Sequence, residues 1–423
     1  MNDVLSLYRR TPLYVRIIAG LLVGVVVGLL MGKDAANLKP ISDIVLQFLR
    51  LLATPLIFIA LAHSLLRANI SGRLAGRLLW LLMSNTVVAI LVGLLVANVV
   101  RPGSHVQLNT AAAPPSSKPF DIAKDLLDKL PADWITPFAK NEIISVIVLA
   151  AALGISLRIV KKRQQARDEA GYMSFERFLD TSFEMVMVML HWIFDLVPLA
   201  VLAVVARTVG TSGVKPLMQM GWFVMAVVIA LALQAIFYTG RLALGSWVRP
   251  LAFLKGGFDA FAMAFSTASS AATLPITYGC AKEKIGVREE SASLGVMVGG
   301  TFNHDGTALY EAMAALFISQ VLGMHLDFQQ QALVVLMAIV ASVGAAGIPE
   351  AGLVTMLAVF NAVHLPIEYI PFLLPLDWLL DRCRTTINVM GDLSVTCLLE
   401  GRSRPEGPAL PLEPAPGPEL VSG

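Results

Sequence analysis

Residues 381–392 read DRCRTTINVMGD and stand between two apolar runs, FLLPLDWLL (372–380) and LSVTCLLE (393–400). Asp381, Arg382, Arg384 and Asp392 place four charges in these twelve positions. If 370–400 is a helix, successive side chains turn by about 100°. Asp381, Arg384, Thr385, Asn388 and Asp392 then share an arc roughly 100° wide, with Arg382 outside it. A charge at the centre of a bilayer is expensive, so such residues normally face a partner or a wet cavity. The alternative is a solvated helix end. Apolar sequence on both flanks favours a site.

The rest of the chain has the same apolar character. Its 423 residues are 56% hydrophobic and 15% charged, with a mean hydropathy of +0.72. Ordinary globular domains are about 45–50% apolar and about 25% charged. Several stretches exceed the roughly 20 apolar residues that span a bilayer, which predicts an all-α integral membrane protein. The net charge of +2 gives no electrostatic case for a nucleic-acid partner. Cys280, Cys383 and Cys397 are too few and too scattered for a disulfide framework or a zinc site. Arg9 and Arg10 precede an apolar run to Met31 with no small-residue cleavage site, so this segment reads as a retained helix rather than a signal peptide.

Spans are expected near 13–32, 42–66, 78–100, 142–160, 179–206 and 220–246. The polar, Pro-containing stretch 101–141 reads as a loop, and the Pro-rich end, 401–423, as a disordered tail. Lys and Arg concentrate in alternate connections: Arg9 and Arg10; Arg67, Arg73 and Arg77; Arg158, Lys161, Lys162, Arg163 and Arg167; Arg249 and Lys255. The positive-inside rule then places the N-terminus in the cytoplasm, and six crossings return the chain there.

After Lys255 the apolar segments are interrupted. Residues 257–281 and 333–365 have cores reading FSTASSAATLPIT and ASVGAAGIPEAGL, and both contain Ala-Ala-x-[Leu/Ile]-Pro. Broken apolar segments in corresponding positions point to a midplane transport site built from inverted repeats. Unwound backbone at that depth is tolerated only where it is buried or lines a cavity.

A second polar cluster, GGTFNHDGTALYE, occupies 299–311. Asn303, Asp305 and Gly306 are poor helix formers, which predicts an interruption near 303–306; the plain alternative is a Gly kink. Freed carbonyls together with Asp305 suit a small hard cation such as Na⁺. His304, Thr307 and Glu311 share a face if the helix resumes promptly. An intramembrane His and Glu suggest proton traffic, although a packing histidine is an equal reading of His304. Ser266, Ser269 and Ser270 raise the idea of a nucleophile with His304 and Asp305. Adjacent His and Asp side chains diverge, however, and there is no G-x-S-x-G elbow. Serines at a hairpin tip instead offer hydroxyls and backbone N–H groups to an anion.

SSAATLP, NHDGTALYEA, GAAGIPEAGLVTM and DRCRTTINVMGD, in that order, resemble the dicarboxylate/amino acid:cation symporter family, the glutamate transporters and their bacterial relatives. The resemblance covers roughly residues 10–400. It implies eight transmembrane helices, two re-entrant helical hairpins in inverted repeats, and a homotrimer with an elevator-type transport domain in each protomer. The expected organisation is a cytoplasmic N-terminus (1–12), helices 1–6 (13–246), and a transport core (247–400), followed by the tail. Within the core fall hairpin 1 (about 257–281), helix 7 (about 289–322), hairpin 2 (about 333–365) and helix 8 (about 366–400).

By motif, the resemblance implies that Ser269 and Ser270 form the tip of hairpin 1, while Ile348 and Gly352 belong to a lid. Asp381 matches the residue that receives a substrate amino group and Arg384 the partner of its side-chain carboxylate. Thr307, Thr385 and Asn388 complete the pocket. Asp392 matches a sodium-ligating carboxylate aided by Gly299, Asn303 and Asn388, and Asp305 the carboxylate of another site. Carbonyls of Thr301, Ser342, Val343 and Ala345 would form a third when the lid closes. Asp381 favours aspartate or glutamate over a C4-dicarboxylate, because dicarboxylate members generally lack it.

Three features bear on coupling. His304 stands where the family usually has Met. Asn85 and Thr86 align with an inner sodium site whose usual tyrosine is not evident. Glu311 sits where proton-carrying members have a glutamate. The expected protein is therefore a symporter of acidic amino acids in a bacterial inner membrane, driven by Na⁺, H⁺ or both, and not an enzyme. It has no cofactor beyond these ions. A dicarboxylate symporter of the same fold is the alternative; an anion-conducting channel and a membrane-embedded hydrolase are more distant ones.

Overall fold

Gly20, Gly24 and Gly28 line one face of α1 (Leu13–Met31) and let it lie directly on α5 (Tyr172–Ser212). A β-carbon at these positions would fall 2.5, 2.8 and 2.6 Å from the carbonyl oxygens of Pro198, Leu202 and Ala206. Small residues permit such close approach between helices in a membrane, where packing rather than water drives association. The structure, a computed structural model, describes residues 11–67, 74–106, 130–344 and 351–403. Every regular element among them is helical.

The first half contains α1, α2 (Lys39–Arg67), α3 (Leu74–Val100), α4 (Ile143–Gln165), α5 and α6 (Gly221–Gly245). Five described stretches are long and apolar enough to cross a membrane: Leu13–Leu66, Gly76–His105, Ile144–Gln165, Tyr172–Ser212 and Lys215–Gly245. The first holds two helices, because Gly32, with φ +54°, ends α1 before a short 3-10 segment leads into α2. Outward-facing Leu22, Leu30, Leu95, Val99, Trp192 and Ile236 are exposed, as suits a lipid-facing surface. The expected 101–141 loop contains a 3-10 turn at Pro102–His105 and a helical turn at Thr136–Ala139; residues 107–129 lie outside the described residues.

The second half consists of two helical hairpins, each followed by a longer helical passage. Hairpin one is α7 (Pro250–Thr267) and α8 (Ser270–Gly279), continued by a π-helical turn at Cys280–Ile285. It is longer than expected at both ends, because Lys255, Asp259, Lys282 and Lys284 lie on helical turns, with Lys284 paired to Asp259. The tip turns at Ala268, a non-glycine residue in the left-handed region (φ +53°). Ser269 then caps α8, its Oγ accepting from Ala272 N at 3.1 Å.

Helix seven is broken as the composition predicts. A π-helical turn at Ser293–Val298 leads into α9 (Gly299–Phe302), Asn303 and His304 leave helical geometry, and α10 runs Asp305–Val321. Hairpin two comprises α11 (Phe328–Gly344) and α12 (Ala351–Ala362). Its connection, 345–350, lies outside the described residues, and with it the candidate residues Ala345 and Ile348. The last helix, α13 (Leu374–Glu400), has Pro375 in its first turn and ends at Gly401, φ +84°. Gly401 and Arg402, expected in the tail, are tied down instead: Gly401 accepts from Trp247 N, and Arg402 donates to the Leu244 carbonyl.

Packing divides these elements into two groups. The helices α1, α2, α4 and α5 pack mainly on one another, while α10 and α13 form the centre of the other group among α3, α6 and the hairpin arms. A helix apolar all round belongs in a core; residues 305–319 of α10 and 387–400 of α13 are all buried. The polar residues within these two helices are therefore brought face to face away from solvent.

Candidate functional site

The α13 arc predicted from helical phase is buried, and it contains one more charge than expected. Arg384 is fully buried; its Nη2 donates to Asp381 Oδ1 at 2.7 Å and lies 3.1 Å from Asp377 Oδ1. Asp377 stands one turn before Asp381, so the spacing that groups the other residues also includes it. The guanidinium lies over the Tyr310 ring, 4.0 Å from its centroid, in cation–π contact. Among the described residues Arg384 Nε and Nη1 have no hydrogen-bond partner. Tyr310 and Asp377 were not identified from sequence; Tyr310 looks like an ordinary core aromatic.

Both hairpins and the helix break converge here. Gly352, in the first turn of α12, lies so close that a β-carbon there would sit 2.9 Å from Arg384 Nη1. Asn388 Oδ1 accepts from Gly306 N at 2.8 Å, and its Nδ2 donates to Thr307 Oγ1 at 3.3 Å. Thr385 is buried beside them. Ser269 and Ser270 are buried at the hairpin-one tip, and α8 packs on α13. Arg382 points away, as its phase requires. It donates to the carbonyls of Phe265 and Ser266 and stacks over Tyr14 at 4.6 Å. A cavity of about 500 Å³ runs past Asp381, Arg382 and the hairpin tip to Tyr14, Arg16 and Trp378.

The break also brings oxygen atoms together below this cluster. Asp392 Oδ1 accepts from Asn303 Nδ2 at 3.1 Å, and a β-carbon on Gly299 would lie 2.8 Å from the same oxygen. Asn303 Oδ1 is buried with no hydrogen-bond partner among the described residues, and a buried acceptor of this kind is available to a ligand. Asp305 is engaged elsewhere, its Oδ1 accepting from Thr86 Oγ1 at 2.7 Å and its Oδ2 from Tyr238 hydroxyl at 2.5 Å. Tyr238 reaches Asp305 from α6. Asn85, next to Thr86, accepts from Arg241.

His304, Thr307 and Glu311 reach three different elements. His304 Nδ1 lies 2.9 Å from the Ser342 carbonyl on α11; a carbonyl only accepts, so the imidazole donates there. Ser342 is one of the residues the resemblance offers to a third cation, as are half-buried Thr301 and Val343. Thr307 faces Asn388, while Glu311, fully buried, accepts from Thr355 on α12. Neither His304 nor Asp305 bonds a hairpin-tip serine, and Ser266 Oγ donates to its own helix at the Ala262 carbonyl.

Two hairpins flanking a broken helix, with a buried Arg–Asp face on the last helix, form the pattern on which the resemblance rests. Residues 13–401 match the sodium:dicarboxylate symporter family. The chain belongs to this family. An excitatory amino acid transporter of Caenorhabditis elegans is 31% identical, with 92% of this chain and 87% of the relative covered. Human excitatory amino acid transporter 2 is 33% identical over 83% of this chain and 71% of its own. A C4-dicarboxylate transport protein of Rhizobium leguminosarum is 27% identical, covering 92% of this chain and 88% of the relative. Membership in the family makes this multi-pass helical chain a cation-coupled symporter.

Proposed function

We propose that this family member imports aspartate or glutamate, using the Arg384–Asp381 pair to hold opposite ends of the substrate. The observation that carries the reading is the buried guanidinium, flanked by two carboxylates and retaining two N–H-bearing nitrogens, Nε and Nη1, without partners among the described residues. A guanidinium offers a planar fork to a carboxylate and fixes its orientation, while Asp381 is the natural acceptor for an α-ammonium. Ser269 and Ser270, Thr307, Ile348, Gly352, Thr385 and Asn388 complete the pocket in this reading.

Sodium binds beside Asp392 with Gly299, Asn303 and Asn388, and Glu311 contributes proton coupling. Alternating access follows an elevator scheme, in which the hairpins, α3, α6, α10 and α13 move against the remaining helices. The cavity beside Asp381 ends at the first turn of α1, the cytoplasmic side in the orientation set by the basic connections. The assembly is a homotrimer in a bacterial inner membrane, with both termini cytoplasmic.

A C4-dicarboxylate substrate is the second reading, supported by the name of the Rhizobium relative; Asp381 weighs against it, since a dicarboxylate brings no ammonium. Uptake into proteoliposomes with independently imposed Na⁺ and pH gradients separates the two. Aspartate or glutamate should accumulate and outcompete succinate. Accumulation of succinate in preference to both amino acids overturns the proposal, as does current without accumulation, which would indicate an anion channel.

A further inference from the structure

Thr86 of α3 and Tyr238 of α6 hold the Asp305 carboxylate, and beside them lies a cationic residue that the proposed function leaves unused. Arg241, half-buried on α6, donates through Nη1 to Asn85 Oδ1 and through Nη2 to Ser84 Oγ at 2.8 Å. Gln234, two turns earlier on the same face of α6, donates to the Asn85 carbonyl at 3.3 Å. Thr86 and Tyr238 hold the two oxygens of Asp305, so Arg241, bound to Ser84 and Asn85, sits on the α3 residues immediately before the one that holds Asp305.

This arrangement does not fit a sodium ion at the inner site that the resemblance draws from Asn85, Thr86 and Asp305. A hard cation needs several oxygen lone pairs aimed at one point. Here Asn85 Oδ1 is taken by a guanidinium, and both Asp305 oxygens are taken by hydroxyl donors. The pocket is also too close-packed to open readily: a β-carbon on Gly391 would lie 2.9 Å from the Tyr238 hydroxyl and 3.2 Å from Asp305 Oδ2. A guanidinium stays charged at any physiological pH, so a sodium ion here would add a second positive charge beside a single buried carboxylate.

We propose that Arg241 is a built-in cation that takes the place of sodium at the Asp305 site, so that this chain binds one sodium fewer than the resemblance implies. The proposal rests on the cation-coupled symport reading and deepens it. Arg241 acts as a positioning residue: it balances the charge of Asp305 and fixes Asn85, which lets Thr86 and Tyr238 lock the start of α10. Sodium coupling then rests on the Asp392 side of the helix break.

The test is the sodium dependence of the full-length protein in detergent, for the wild type, R241M and R241K. The slope of log affinity for aspartate against log sodium concentration counts the ions taken up with substrate. R241M should bind weakly at low sodium, recover at high sodium, and steepen the slope by about one; R241K, which keeps the charge, should retain the wild-type slope. A fall in affinity that is constant across sodium concentrations, with no change of slope, overturns the proposal.

Two further measurements guard against misfolding and against an error in the assumed substrate. D305N in the wild-type background should weaken binding without altering the slope; a slope lower by about one would mean that sodium occupies the site and would refute the idea. Sodium titration of the melting temperature needs no substrate, since an ion that binds only the folded state stabilises it by mass action. Stabilisation per decade of sodium should be greater in R241M than in the wild type, and equality refutes the proposal. Failure of aspartate, glutamate and succinate to bind at any sodium concentration would refute the transport reading while leaving this last measurement decisive for Arg241.

Discussion

Asp381 and Arg384 hold each other: Arg384 Nη2 donates to Asp381 Oδ1 at 2.7 Å, both on one face of α13 and both buried. A substrate bearing an ammonium and a carboxylate can replace this contact with one partner for each charge. A dicarboxylate satisfies the arginine but displaces Asp381 from its counter-ion and offers nothing in return. Leaving a buried charge unpaired costs about 3–5 kcal/mol, so under the proposed function this one pair would supply both affinity and selection.

D381N keeps the size of the side chain and removes its charge. Aspartate affinity should fall by about 2–5 kcal/mol, the range for breaking a buried charged contact, or about 30-fold to several thousand-fold. Succinate should lose less, so that the aspartate-to-succinate preference narrows. Competition against labelled aspartate measures both.

Gly352 is where the second hairpin meets the guanidinium. In G352A the new methyl group would sit 2.9 Å from Arg384 Nη1 and 3.3 Å from Thr307 Cγ2. Overpacking of this kind costs about 1–3 kcal/mol. Substrate affinity should drop by about 5- to 150-fold with the fold retained, as a Kd measurement alongside thermal unfolding will show.

Glu311 and Thr355 join α10 to α12 by a hydrogen bond. E311Q preserves an acceptor for Thr355 but removes the titratable carboxyl. Uptake by the wild type should rise with an inward proton gradient, whereas E311Q should not respond to it. Equal responses in the two proteins would remove Glu311 from the coupling scheme.

His304 anchors the helix break to the end of α11 through the Ser342 carbonyl. Both groups are buried, so H304L would strand that acceptor at a cost of about 1–3 kcal/mol. H304Q, which retains an N–H donor, should recover part of the lost stability. Thermal unfolding of the two variants distinguishes the hydrogen bond from side-chain volume.

Asp392 should behave unlike Asp305. D392N should lower the slope of log affinity against log sodium by about one, because it removes the buried carboxylate that the proposed function assigns to sodium. An unchanged slope would place the coupled sodium elsewhere.

The sequence determined the membrane class, the positions of six long helices, an interruption near 303–306 and the polar face of α13, because each is a local property. Apolar length sets a span, poor helix formers end a helix, and a period of about 100° per residue assigns faces without reference to any neighbour. The same periodicity includes Asp377, whose apolar sequence neighbours give no local sign of a charged site. Tertiary structure alone decided who meets whom. Tyr238 and Arg241 reach Asp305 and Asn85 from a helix more than sixty residues before Asp305 in the chain, and Tyr310 becomes the platform for Arg384 only when α10 crosses α13. Hydrogen bonds and charge pairing act over a few ångströms in space regardless of separation in sequence. The partners of Asp305, Asn85 and Arg384 therefore emerge only when the helices are packed.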